Sequence, residues 1–290
     1  MKNAALLLIV LANVAACSST EETSVASAEA NTVEATSQTP LPAGEADAVA
    51  RLAESPRHGE WITVQTGPQD SVRAWIVYPE RNDNAPVVLV VHEIFGLSHW
   101  VRAVADQMAA EGFIAIAPDL LTMRNIPAGA DGAPDPSVVR QEIGSLDPDD
   151  IHRQLLAVAE YGMSLPSAVQ SYGIVGFCWG GSTSFEHALR SPTLGASVVY
   201  YGTTSDTLSM ADIHAPVLGF YGGEDARVTA TIPATERWME RNGKTYEHEI
   251  FAGAGHGFLR AQTGQDGANL AATQVAWPRT VSWFRTYLEN

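Results

Sequence analysis

The reading of the fold turns on Ile174-Val175-Gly176-Phe177-Cys178-Trp179-Gly180-Gly181, "IVGFCWGG". An apolar run ends in a cysteine with a glycine two residues away on either side, and a further glycine follows. Cys178 has three readings: a buried core thiol, half of a disulfide, or a nucleophile on a tight turn. Gly176 to Gly180 fits G-x-S-x-G with cysteine in the serine position. That pattern is a sharp strand-to-helix turn holding a nucleophile in a strained conformation. Small residues flank such a turn because strand and helix backbones approach closely there. A helix starting beneath the sulfur also favours the thiolate. Taken alone, the pentapeptide leaves a core cysteine beside packing glycines equally open.

Elements on both sides supply the context. Trp61–Val64 and Val72–Tyr78, flanking Gly67-Pro68-Gln69-Asp70, predict two strands joined by a turn. Pro86–His92 and Phe113–Asp119 are continuous apolar runs of the kind buried on both faces of a sheet. Between them Trp100–Gly112 reads as a helix, with Ser98 as its N-cap. Thr122 to Asp150 is rich in Pro, Gly and Asp and predicts an irregular loop with a short helix. An amphipathic helix over Asp150–Met163 follows. Strands at Tyr172–Phe177, Ala196–Tyr201, Val217–Tyr221 and Tyr246–Phe251 then alternate with helices from Trp179, near Pro233–Asn242 and over Thr273–Leu288. Strands alternating with helices predict an α/β fold, a mostly parallel central sheet with helices on both faces. In such sheets working residues sit in loops at the carboxyl ends of strands.

Two later loops carry groups that suit the cysteine turn. The strand ending at Tyr221 runs into Gly222-Gly223-Glu224-Asp225, and the strand ending at Phe251 into Ala252-Gly253-Ala254-Gly255-His256-Gly257. Cys178, Asp225 and His256 thus follow three candidate strands in the order nucleophile, acid, histidine that this turn calls for. His152 and His187 fall on helices, His248 inside a strand and His58 near the start of the domain. Asp225 competes with Glu224 and Asp206, and the Gly-Gly-x-Asp turn favours Asp225.

Composition narrows the classes of function. The chain has 290 residues and a formal charge of -16, from 17 basic and 33 acidic residues. That balance excludes nucleic acid, whose affinity comes chiefly from cationic contacts to phosphate, and electrostatic docking to anionic lipid. With two cysteines there is no disulfide framework. Residues 1–16 read as a lipoprotein-type signal peptide, with a basic start, a short apolar run and small residues before Cys17. That ending resembles the bacterial lipobox, which implies lipidation of Cys17, cleavage before it, and an exported cell-envelope protein that meets the membrane only through its lipid. Residues 17–56, rich in Ser, Thr, Ala and Glu, read as the lipidated cysteine and a disordered linker. The folded domain is expected over 57–290, as a monomer.

Taken together, the pieces resemble the dienelactone hydrolase family of α/β-hydrolases, the family of carboxymethylenebutenolidase. They are "HEIFGL" at 92–97, "GFCWGG" at 176–181, "YYG" at 200–202, "GGEDARV" at 222–228 and "GAGHGFLR" at 253–260. The resemblance implies a Cys178–Asp225–His256 triad that hydrolyses an ester or lactone, with Ile94 and Trp179 backbone N–H groups as the oxyanion hole. It implies that Glu93 lies near the thiol and pairs with Arg260. A nearby negative charge disfavours a thiolate, so a substrate carboxylate bound at Arg260 would release Glu93 and help ionise Cys178. A second arginine on substrate is implied, with Arg140 and Arg124 as candidates. "HEIFG" is not a zinc motif, because Gly96 stands where H-E-x-x-H needs histidine. No cofactor is expected. The partner is a small-molecule ester or lactone. The alternatives are a thioesterase or acyltransferase on the same fold, or a lipid-tethered binding module with a vestigial triad. Dienelactone processing is cytoplasmic, whereas this chain reads as exported. The resemblance therefore carries the reaction class rather than the named substrate.

Overall fold

The computed structural model describes residues 40–127, 135–204 and 210–289. The expected signal segment, Cys17 and the first part of the linker lie outside these residues, as does Asp206.

One eight-stranded sheet organises the domain, in the order β1-β2-β4-β3-β5-β6-β7-β8. β1 (Gly59–Gln65) and β2 (Ser71–Val77) form an antiparallel hairpin, and β2 pairs antiparallel with β4 (Ile114–Asp119). From β4 onward all pairings are parallel, through β3 (Ala85–Val91), β5 (Ala168–Phe177), β6 (Ala196–Tyr200), β7 (Val217–Gly222) and β8 (Tyr246–Phe251). β3 is buried along its whole length. Its side chains alternate between two cores, with Val88 and Val90 on one face and Val87, Leu89 and Val91 on the other.

The first face is covered by α2 (His99–Ala110) and α8 (Ala268–Leu288), through Trp100, Val104, Trp277 and Phe284. The second is covered by α4 (Pro148–Met163), α5 (Trp179–Arg190) and α7 (Ile232–Arg241), through Leu155, Val158, Phe185 and Met239. Ser98 caps α2 by accepting from the Val101 N–H, as its position predicts. α4 starts at Pro148 rather than Asp150, because Asp147 is its N-cap and accepts from Asp149 and Asp150. α8 begins five residues earlier than the apolar periodicity indicated. The Pro- and Gly-rich stretch contains α3 (Pro136–Gly144), capped by Asp135.

The domain also starts earlier than expected. Part of the expected linker is ordered: Glu45–Asp47 form a 3-10 turn and α1 spans Ala48–Ala53. Ala43 and Ala48 are buried, and Leu41 and Leu52 pack against the α2–α8 core. Trp100 donates its indole N–H to the Ala43 carbonyl at 3.1 Å, and Gln262 donates to the Pro42 carbonyl at 2.9 Å. Few apolar side chains are enough here, because the segment lies in a seam already shaped by Trp100 and the loop after β8.

β3 is the point where the chain changes direction across the sheet. It neighbours β4 on one side and β5 on the other, so the loops leaving its carboxyl end and that of β5 diverge and open a crevice. The register aligns Val91 with Gly176, two residues before Glu93 and Cys178 respectively. Those two side chains therefore emerge side by side.

Candidate active site

Cys178 stands between β5 and α5 with φ 56° and ψ −115°, a conformation that L-residues rarely adopt. Its amide donates to the Tyr200 carbonyl of β6 at 3.0 Å, and its carbonyl accepts from Ser182 at 3.1 Å. The turn is possible only without side chains around it. A Cβ on Gly176 would stand 1.9 Å from the Gly180 carbonyl oxygen, and one on Gly180 would stand 2.4 Å from that of His92. No side-chain rotation relieves a clash with backbone, so both positions are confined to glycine.

Asp225 and His256 meet at the neighbouring strand ends. Asp225 caps the short helix Ala226–Thr229, accepting from Val228, and its Oδ2 accepts from His256 Nδ1 at 2.5 Å. Asp225 is buried, whereas the Glu224 beside it is exposed. The Tyr201 ring meets the His256 ring edge-on, with centroids 5.1 Å apart. The ionised carboxylate requires the proton on Nδ1, which leaves Nε2 as the basic nitrogen.

Glu93, only 4% exposed at its side chain, pairs with Arg260 Nε at 2.8 Å. Burial pushes the Glu93 carboxyl up to about 7, against the pull of Arg260; the Glu45 charge adds to the rise. Burial, then the Glu93 charge, raises the Cys178 thiol above its ordinary value, while the Trp179 N–H and Arg227 oppose the rise. The expected helix-end preference for thiolate is thus outweighed. A helix N-terminus is worth about 0.3–2 kcal/mol. Burial shifts an ionisable group by as much as several pKa units, each about 1.4 kcal/mol. The resting group is a thiol.

His92 supports the floor of the site. It is fully buried, burial keeps it neutral, and its Nδ1–H donates to the Glu93 carbonyl at 2.8 Å. Its ring stacks on Trp179 with centroids 5.4 Å apart. Beside this wall lies a cleft of about 630 Å³ lined by Phe95, Leu97, Leu121, Ile126 and Val139 among others.

The two candidate loop arginines are not part of this cluster. Arg140 is exposed on α3 and donates to the Pro136 carbonyl. Arg124 donates to the Ser145 carbonyl and pairs with Glu142 at 3.7 Å. Their residue type suits a carboxylate, but their helices point them elsewhere. Sequence reasoning missed two residues at the site. Tyr201 follows a strand and looks like core, and Glu45 lies in a segment whose composition reads as linker.

The model of the dienelactone hydrolase family matches residues 72–288. The chain belongs to the dienelactone hydrolase family. A Salmonella typhimurium member named "Putative carboxymethylenebutenolidase" is 31% identical over 265 residues, covering 85% of this chain and 96% of its own. A Bradyrhizobium protein named "Probable 2-oxo-3-(5-oxofuran-2-ylidene)propanoate lactonase" is 27% identical, covering 79% of this chain and 94% of its own. The structure titled "Putative Dienelactone Hydrolase" from Klebsiella pneumoniae is 26% identical, with TM-score 0.69 over 80% of this chain and 99% of its own. A dienelactone hydrolase-like promiscuous phosphotriesterase from metagenomic libraries, 21% identical with TM-score 0.67, shares the fold over 80% of this chain and 99% of its own.

The raised Glu93 carboxyl makes a prediction for stability. Its folded value of about 7 exceeds the ordinary 4.5, so the folded state holds this proton more tightly than the unfolded state. Its contribution to stability is unpenalised below the lower value and falls as pH rises to the higher one, by about 3 kcal/mol. Glu93→Gln should therefore lose less stability than wild type between pH 4.5 and 7, measured by urea unfolding. Parallel pH profiles for the two proteins would refute the assignment.

Proposed function

We propose that this family member hydrolyses carboxylic esters or lactones through a thioester on Cys178. The observation that carries this reading is the hydrogen bond from His256 Nδ1 to a buried Asp225, at the carboxyl ends of β7 and β8, on the same edge of the sheet where the strained cysteine turn ends β5. A vestigial triad in a binding module would give no reason to keep that bond and the glycine-lined turn together.

His256 Nε2 takes the proton from the Cys178 thiol as the sulfur attacks the substrate carbonyl. Because burial and Glu93 hold the thiol protonated, this general-base step is needed. The tetrahedral oxyanion is stabilised by the N–H groups of Ile94 and Trp179. The imidazolium, steadied by Asp225, gives its proton to the leaving oxygen as the acyl C–O bond breaks, leaving the thioester. In a lactone that oxygen stays attached to the acyl chain. Water then attacks the thioester while His256 takes its proton. The second tetrahedral intermediate collapses to the carboxylic acid, and the thiol is restored. The apolar cleft beside Phe95 suits a hydrophobic portion of the substrate. The relatives named as carboxymethylenebutenolidase and lactonase are consistent with lactone or enol-ester chemistry.

In this reading Cys17 is lipidated after removal of residues 1–16, and the enzyme works as a monomer on the cell envelope. The small residues preceding Cys17 and the polar stretch after it support this.

Cys178→Ala should lower kcat on aryl esters and lactones by on the order of 10⁶, read by release of a chromogenic alcohol. Wild-type turnover in that variant would exclude the thioester route. Cys17→Ser should move the protein from the membrane to the soluble fraction after expression in a bacterium, and continued tight membrane association would exclude the anchor.

A further inference from the structure

Arg260 is shared by two carboxylates from separate segments in the first third of the chain. Its Nε faces the buried Glu93 at 2.8 Å, and its Nη1 donates to the exposed Glu45. The Phe95 ring lies against the guanidinium, with its centroid 5.0 Å from Cζ. Nη2 runs beside Gly257, next to His256.

Glu45 is held there by backbone as well as charge. Its amide donates to the Arg260 carbonyl at 2.9 Å. Two more hydrogen bonds, to the carbonyls of Pro42 and Ala43, fix the segment just before it. The carboxylate is thus positioned over the arginine rather than meeting it by chance on a free tail.

A guanidinium offers two edges for bidentate carboxylate binding, one using Nε with an Nη and the other using both Nη groups. Here Nη1, on one edge, is hydrogen-bonded to Glu45, and Nε, on the other, lies in an ion pair with Glu93 at 2.8 Å. Above the pH at which Glu93 titrates, about 7, the cluster of Glu45, Arg260 and Glu93 carries a net charge of about −1. An incoming carboxylate must displace a tethered one and enter a negative field.

We infer that Glu45 is a specificity-determining residue: it occupies the carboxylate-binding edge of Arg260 and biases the enzyme toward uncharged esters and lactones over anionic ones. This rests on the proposed ester or lactone chemistry at Cys178 only for its effect on turnover. Its effect on anion binding is independent of that chemistry.

The test uses the folded enzyme with 4-fluorobenzoate as the anion probe, titrated by fluorine NMR. Glu45→Gln should tighten its binding about fivefold, the scale of one partly exposed charge contact. Asp47→Asn removes an equal charge from the same exposed 3-10 turn without touching Arg260, and should leave the affinity within about twofold. Raised salt should narrow the difference between wild type and Glu45→Gln. Unchanged affinity in Glu45→Gln, or equal tightening in Asp47→Asn, overturns the proposal. The matched esters 4-nitrophenyl butyrate and 4-nitrophenyl hydrogen glutarate extend the test to turnover. The glutarate-to-butyrate ratio of kcat/KM should rise about fivefold in Glu45→Gln, and an unchanged ratio counts against the inference. Failure of the Cys178 assignment is seen separately, as wild-type turnover by Cys178→Ala, and leaves the binding result standing.

Discussion

At Cys178 the chain passes from β5 into α5 in a rare positive-φ conformation, with φ 56° and ψ −115°. Everything else at the site follows from holding that turn. It needs Gly176 and Gly180 bare, because the backbones of β5, α5 and the loop after β3 touch there. It needs β6 alongside, because Tyr200 supplies the acceptor for the cysteine amide. It also needs two packed faces behind the sheet, since backbone strain of this kind, on the order of 1–3 kcal/mol, persists only where surroundings over-determine it.

Electrostatics set the state of Cys178 within that frame. Glu93 leaves a strand buried on both faces and has Arg260 as its charged partner. The partner moderates but does not cancel the effect of burial, so the carboxyl titrates near neutrality. Burial, and then the charge of the same carboxylate, holds the cysteine as a thiol, which keeps it from acting as a free thiolate. In the proposed reaction His256, oriented by Asp225, is what makes that thiol reactive. Glu45 extends this network outward, so that one arginine links the nucleophile control to a segment near the start of the folded domain.

Much of this was legible in the sequence. β3, β4 and β5 announce themselves as apolar runs because both of their faces are buried. The glycine spacing around Cys178 and the ends of β7 and β8 located three groups that lie at the carboxyl ends of β5, β7 and β8. The sequence could not show the role of residues 40–53. Their Ala, Pro and Glu composition reads as linker, and their order comes from long-range bonds to Trp100, Arg260 and Gln262. Nor could it place Arg124 and Arg140. Their orientation depends on how α3 and the turn before it pack, and local sequence says little about that. The direction of the Cys178 shift was likewise hidden, since it depends on burial and on Glu93 arriving from another strand.

The central claim is that the strained cysteine, and no other group, carries the acyl chain. Its most direct measurement is peptide mapping by mass spectrometry after rapid acid quenching of the wild-type enzyme within its first turnover of an activated aryl ester. With an activated leaving group, hydrolysis of the thioester is slower than its formation, so the acyl chain accumulates on the nucleophile. The account predicts an acyl mass on the peptide containing Cys178. Acylation confined to another peptide, with Cys178 recovered as a free thiol, would contradict it.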